Sequence, residues 1–287
     1  MTSSSADAPV ALITGANRGI GAATVAALAA EGWTVVAASR QSAWVEQAPR
    51  NGVIPLLLDV TSDESIEAAH AELVQRLGGR GLDLLVNNAG VLVEGPVQLL
   101  PRDEIRRQYE VNVFGAMAVT RIFLPLLTQA RGRVISLGSV TGRTSVPFWG
   151  ASASSKAALA SFCDALRMEV RPFGVSVCLI EPPPVATRIF AEGSRAADSA
   201  MRDADPRVQA LYAPAIHAVR RWVAKGRPLP AEAVAAGIVR AATARRPRTR
   251  YLIGRQARVL AALRFLPTRL REHLIRRDLG LTSLPPA

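Results

Sequence analysis

Between a short apolar run, Val10–Thr14, and an alanine-rich helical pattern stands Gly15-Ala16-Asn17-Arg18-Gly19-Ile20-Gly21. Glycines at 15, 19 and 21 permit a tight turn and leave the backbone uncovered where a helix begins. A helix N-terminus carries partial positive charge and free N–H groups, so this strand–turn–helix suits a bound pyrophosphate. In that setting the glycine pattern points to a dinucleotide-binding βαβ unit. Such a unit commits the chain to a parallel sheet, because the helix returns the next strand in the same direction as the first.

The rest of the first 180 residues keeps the same alternation. Short apolar runs at Val10–Thr14, Thr34–Ser39, 54–60, 82–87, Arg133–Leu137 and 175–180 have the length and continuity of strands buried on both faces. Helical patterns fall between them at 20–31, Asp63–Leu77, 102–127 and 151–171. A seventh strand is expected at 251–254, after a helix opening near Pro230. The sequence therefore predicts one doubly wound, Rossmann-type α/β domain of about seven parallel strands over residues 9–254. Residues 1–8 read as a flexible N-terminus, and 255–287 as a basic helical extension. The segment 183–228, rich in Pro, Arg and Ala, reads as an irregular lid over the cleft.

Composition narrows the functional classes. A chain of 287 residues holds a full α/β core. Cys163 and Cys178 lie in expected core elements, and with three scattered histidines they give no metal-type cluster, so no metal is expected. Neither a secretory leader nor an apolar run of membrane-spanning length is apparent, so a cytoplasmic protein without an integral membrane segment is expected. The net charge is +12, yet only Lys156 and Lys225 are lysines. Twelve arginines in 240–287 face only Glu272 and Asp278. No nucleic-acid module accompanies them, so a solvated helical face, or contact with a partner or an anionic surface, is expected instead. In the tail, Pro267 should end one helix and Thr268 cap the next, with Leu260, Leu263, Leu270, Leu274 and Ile275 turned toward the body or a lipid surface.

Four segments together resemble the short-chain dehydrogenase/reductase family: Thr14–Gly21 as its glycine fingerprint, Asp59-Val60 after the third strand, Asn87-Asn88-Ala89-Gly90 after the fourth, and Ser152-Ala153-Ser154-Ser155-Lys156 as its active-site helix. The resemblance covers residues 10 to about 190. It implies that Gly15, Asn17, Arg18, Gly19, Ile20 and Gly21 cradle a nicotinamide dinucleotide. Asp59 and Val60 would meet its adenine, Asn88, Ala89 and Gly90 the adjoining ribose, and Val185 and Thr187 its carboxamide. The second strand ends Ser39-Arg40 with no acid to hold a ribose hydroxyl, and Arg40 with Arg18 would pair with a 2′-phosphate. NADP(H) is the expected cofactor.

By the same resemblance the catalytic group comprises Asn112, Ser139, residue 152 and Lys156. Asn112 would organise a water, Ser139 polarise the substrate oxygen, and Lys156 hold the nicotinamide ribose and supply charge. An amine kept at 156 among so many arginines supports that role. The family's tyrosine, however, is here Ser152. A phenol with a pKa near 10 can be tuned by a neighbouring ammonium; an alcohol cannot, and it lacks the ring's reach. Tyr212 in the lid, or Tyr109, is a candidate relocated donor. Pro183 also replaces the family's glycine beside the carboxamide, fixing φ and removing an N–H.

The expected function is an NADP(H)-binding oxidoreductase acting on a medium-sized apolar carbonyl or alcohol through an atypical site. The alternatives are a redox-neutral enzyme of the same fold (cyclase, isomerase or dehydratase) and a non-catalytic NADP-binding regulator. A small apolar molecule is the expected partner. A homodimer or homotetramer is expected too, because the helical segments 102–127 and 151–171 carry more apolar residues than one buried face needs.

Overall fold

The computed structural model describes residues 8–47, 52–226 and 228–282. All but the last residue of the segment expected to be flexible, 1–8, lies outside them. Strands β1 (Val10–Thr14), β2 (Thr34–Ser39), β3 (Val53–Leu57), β4 (Leu84–Asn87), β5 (Arg133–Leu137), β6 (Ser176–Glu181) and β7 (Arg250–Leu252) form one parallel sheet in the order β3-β2-β1-β4-β5-β6-β7. Alternation along β1 explains its uniformly apolar sequence. Val10 and Leu12 enter one core, Ala11 and Ile13 the other, so no residue of that strand faces water.

Helices cover both faces. On the first, α3 (Asp63–Leu77), α4 (Arg102–Tyr109), α5 (Gly115–Ala130) and α6 (Gly150–Glu169) bury Leu73, Phe123, Leu127 and Leu166. On the second, α1 (Gly19–Ala30) packs beside α10 (Ala231–Thr243), burying Leu28, Val234 and Ile238. Helix α3 shows how local sequence sets the boundaries. Ser62 accepts the Ser65 N–H at 3.1 Å, Asp63 and Glu64 lie in the first turn, and Gly78 closes the helix at φ 57°. A short helix, α2 (Ser42–Gln47), has no counterpart in the sequence expectations.

Three expectations need correction. The lid is largely helical: α7 (Ile189–Gly193), α8 (Arg195–Asp203) and α9 (Pro206–Lys225). Asp205 caps α9 by accepting the Arg207 N–H at 2.7 Å, and Pro206 sits in the first turn where a missing N–H costs nothing. In the tail, α11 (Gly254–Ala262) and α12 (Thr268–Asp278) flank Pro267 as expected, but Pro267 itself takes the cap position and Thr268 makes no capping bond. The tail belongs to the body's packing. Ala257 and Ala261 rest on Val140, while Ile275, Leu279 and Leu281 join Val146, Trp149 and Val219. Leu260, Leu263 and Leu274 are half-buried and Leu270 is exposed.

The stretch Arg102–Ala130 is long and apolar enough to cross a bilayer by length and composition, contrary to the expectation that none would be. Here Val111, Val119, Phe123 and Leu127 bury it against the sheet.

Candidate active site

The order of the strands reverses between β1 and β4, and a crevice opens beyond their carboxyl ends, where parallel sheets of this kind bind ligands. It is a cleft of about 700 Å³. Gly15, Asn17, Arg18, Gly19, Ile20, Arg40, Asp59 and Val60 line one end. Asn88, Ala89, Gly90, Ser139, Ser152, Lys156 and Val185 line the rest, and Thr187 lies against the cradle, its Cγ2 3.1 Å from where a Cβ on Gly19 would stand. Gly21 and Asn112 lie behind the wall, not on it.

Loops from distant parts of the sequence are stapled together here. The Thr14 hydroxyl accepts N–H groups from Asn88 and Ala89 at 3.1 and 3.0 Å, and the Asn88 amide donates to the Thr14 and Gly15 carbonyls at 2.8 and 3.0 Å. Backbone approach is close enough to require glycine. Gly15 has φ +63°, and a Cβ there would stand 2.9 Å from the Ala89 Cα. At Gly21 a Cβ would stand 2.2 Å from the Gly15 carbonyl oxygen. The uncovered main chain at the start of α1 and the adjoining cleft therefore fit a dinucleotide's phosphates.

The two arginines expected to share a 2′-phosphate are disposed differently. Arg40 at the end of β2 is exposed. Arg18 is held by Glu192 of α7 in a two-pronged ion pair, one prong at 2.7 Å, which raises the arginine's pKa. A phosphate would have to compete with that carboxylate. Asn17 turns toward the same end as Arg40, donating to the Gln41 side chain at 2.9 Å.

At the other end, Asn112 sits in a π-helical turn, Glu110–Phe114, between α4 and α5. Its amide accepts the Val91 N–H at 2.8 Å and donates to the Val91 carbonyl at 3.0 Å, bracing the chain just past Gly90. Such turns recur at functional sites because they redirect one side chain without ending the helix. The Ser139 oxygen receives the Thr141 N–H at 3.2 Å and lies 2.9 Å from the Thr141 hydroxyl. With those two as donors, the Ser139 proton is left for a third partner. Lys156 donates to the Leu137 carbonyl at 2.6 Å, and burial of its ammonium lowers its pKa to about 8.

Ser152 is 8% exposed and lies one helical turn before Lys156 on the cleft wall. No tyrosine takes the phenol's place on that wall. The Tyr212 hydroxyl lies 3.1 Å from Gln98, the Tyr251 hydroxyl accepts the Arg248 N–H, and Tyr109 is not among the lining residues. The relocated donor expected at Tyr212 or Tyr109 is therefore absent from the cleft in this arrangement.

Pro182, Pro183 and Pro184 are buried along the cleft and tied at both ends. Val140 donates to the Pro182 carbonyl at 3.1 Å and Leu229 to that of Pro184 at 3.0 Å. Immediately before them Glu181, only 1% exposed, receives two bonds of 2.6 Å from Arg143 and one of 3.3 Å from Arg250. The Arg143–Glu181–Arg250 ion pairs anchor the end of β6 just before the three prolines. The sequence reading missed Glu181, Glu192 and Glu94, the last of which accepts the indole N–H of the cleft residue Trp149 at 3.2 Å. The only local signal for Glu94 is one acid within Val91-Leu92-Val93-Glu94-Gly95.

Residues 9–198 match the model of the short chain dehydrogenase family. Along most of its length the chain is similar to the NADPH-dependent 3-dehydrocapnine reductase of Ornithobacterium rhinotracheale, 34% identical over 278 residues that span 94% of this chain and 96% of the relative. Retinol dehydrogenase 5 of Mus musculus is 34% identical over 272 residues, covering 90% of this chain and 85% of its own. Among solved structures, a short-chain dehydrogenase from Streptomyces avermitilis matches with a TM-score of 0.76 at 29% identity, covering 99% of this chain and 97% of that one.

Proposed function

The chain belongs to the short-chain dehydrogenase/reductase family, and from that premise we propose an NADP(H)-dependent oxidoreductase acting on a medium-sized apolar carbonyl or alcohol. The observation that carries this reading is a single cleft joining the glycine cradle to Ser139, Ser152 and Lys156. NADPH held in the glycine cradle would supply the hydride for the carbonyl carbon, and one proton must then reach the carbonyl oxygen. Ser139 orients that oxygen with the proton its own acceptor bonds leave free. Lys156 would hold the nicotinamide ribose, and its ammonium would pass a proton to a water spanning the gap above Ser152 as that water protonates the carbonyl oxygen. Asn112 keeps the Gly90–Val91 backbone in place beside that water. Because the missing phenol handicaps redox chemistry alone, Ser152 favours a redox-neutral reaction as the second reading. Apolar Phe114 and Met117, 52% and 38% exposed next to Gly115 of α5, support pairing of two or four copies through this helix.

Cofactor choice follows from the acid-free end of β2. NADPH should bind at least about tenfold tighter than NADH, about 1.4 kcal/mol, and Arg40→Asp should erase the difference. Titration calorimetry with both dinucleotides checks this, and equal affinities in the parent protein would refute it.

The lowered pKa of Lys156 sets a pH dependence. Ketone reduction should decline as pH rises through about 8, where the ammonium loses its proton. The same group makes stability rise between about 8 and its ordinary value of 10.5, since the unfolded chain binds more protons over that window. A pH–rate profile showing no alkaline limb near 8 would rule out the amine as the charged group.

A further inference from the structure

Trp149 and Phe190 belong to two spaces at once. On one side they wall the cofactor cleft; on the other a second chamber of about 400 Å³ opens between the Glu94–Gly95 loop, the start of α6, and helices α8 and α9. Their ring centroids lie 5.5 Å apart at an inclination of 39°, so the two rings touch and form a partition. Trp149 is 4% exposed, stands three residues before Ser152 and shares the cleft wall with it.

The chamber's charges are satisfied among themselves. Arg220 donates to Glu94 at 3.4 Å and to Asp198 at 2.6 Å, and Glu94 also accepts the Trp149 indole N–H at 3.2 Å. Burial pushes the Glu94 carboxyl up, which further reduces its value as a site for a cation. Arg202 and His217 are exposed at the rim. What the interior offers a ligand is apolar surface from Ala197, Met201, Ile216, Val219 and Val223. The tail backs this wall, because Ile275 and Leu279 pack in one cluster with Trp149, Ala218 and Val219.

We propose that this chamber receives the unbranched apolar tail of the substrate, whose carbonyl lies at Ser139 and whose chain passes between Trp149 and Phe190. The inference rests on the oxidoreductase reading and narrows it from an apolar carbonyl to a long-chain one. A single chain can pass by turning one ring aside; a fused ring system would need the whole partition displaced.

The test is binding, which does not require turnover. Straight-chain secondary alcohols of six to twelve carbons are titrated calorimetrically into the protein saturated with NADPH, a pairing with no hydride acceptor. The affinity should rise about two- to fourfold per added methylene. Ala213→Trp, on the chamber side of α9, should level the series at short chains while leaving the affinity for NADPH unchanged; Ile216→Trp serves as a second filling variant if the first is unstable. Affinity independent of chain length in the parent, or a full series surviving in both variants, overturns the chamber. If the binding series holds but none of the corresponding ketones is reduced, the chamber stands and the redox reading fails. Reduction of ketones without any chain-length effect removes the chamber alone.

Discussion

A tyrosine placed at residue 152 is expected to raise NADPH-dependent reduction of a simple ketone by about 10²–10⁴-fold, the usual contribution of a positioned general acid. The other groups are already in place. Ser139 has a proton to give, Asn112 braces the loop past Gly90, and Lys156 lies one turn from residue 152 with a pKa of about 8. An ammonium there lowers the pKa of an adjacent phenol, which is what an alcohol at the same position cannot exploit. Ser152→Phe is the control, since it restores the ring without the acid and should give no gain. Steady-state NADPH oxidation by the three proteins decides the matter. Equal rates for serine and tyrosine would shift the block to the Pro182–Pro184 segment.

The second large effect concerns the cradle. Gly21→Val should weaken NADPH binding roughly 100-fold or more, because overpacking costs about 1–3 kcal/mol even where side chains can yield. Here the first atoms met are the Gly15 carbonyl oxygen at 2.2 Å and the Asn88 amide nitrogen at 2.6 Å. Neither can move without unstapling Thr14 from the Asn88–Ala89 loop. Calorimetric affinity, read with a thermal melt to confirm folding, measures it. Binding unchanged from the parent would mean that the loop's close approach is not what holds the phosphates.

The sheet was legible because its strands are buried on both faces. β1, β2 and β5 appear in the sequence as short, largely apolar runs with the bounds they have in the structure. Helix α3 was legible for a different reason, with a capping serine at one end and a glycine at the other. The lid was not. Its longest helix opens with Pro206, contains Pro214, and is amphipathic only with respect to partners far away in sequence, so its prolines read as breaks. The cap at Asp205 followed by Pro206 was the available signal.

The site divides along the same line. The glycine fingerprint, Ser139, Ser152 and Lys156 reach one cleft because each stands at the end of a strand or the start of a helix whose position the fold dictates. The Arg18–Glu192 clasp and the Arg220–Glu94 contact join elements 174 and 126 residues apart. No local pattern marks such pairs; only the packing of the lid brings them together.

Hydride transfer is tested most directly with NADPH carrying deuterium on the nicotinamide carbon that donates, incubated with a panel of long-chain apolar ketones. Cofactor loss is followed optically and the products by mass spectrometry. An oxidoreductase that has replaced its phenol with a water consumes one NADPH per alcohol formed and leaves deuterium on the carbinol carbon. Conversion of a substrate at constant NADPH, with no deuterium in the product, would contradict it.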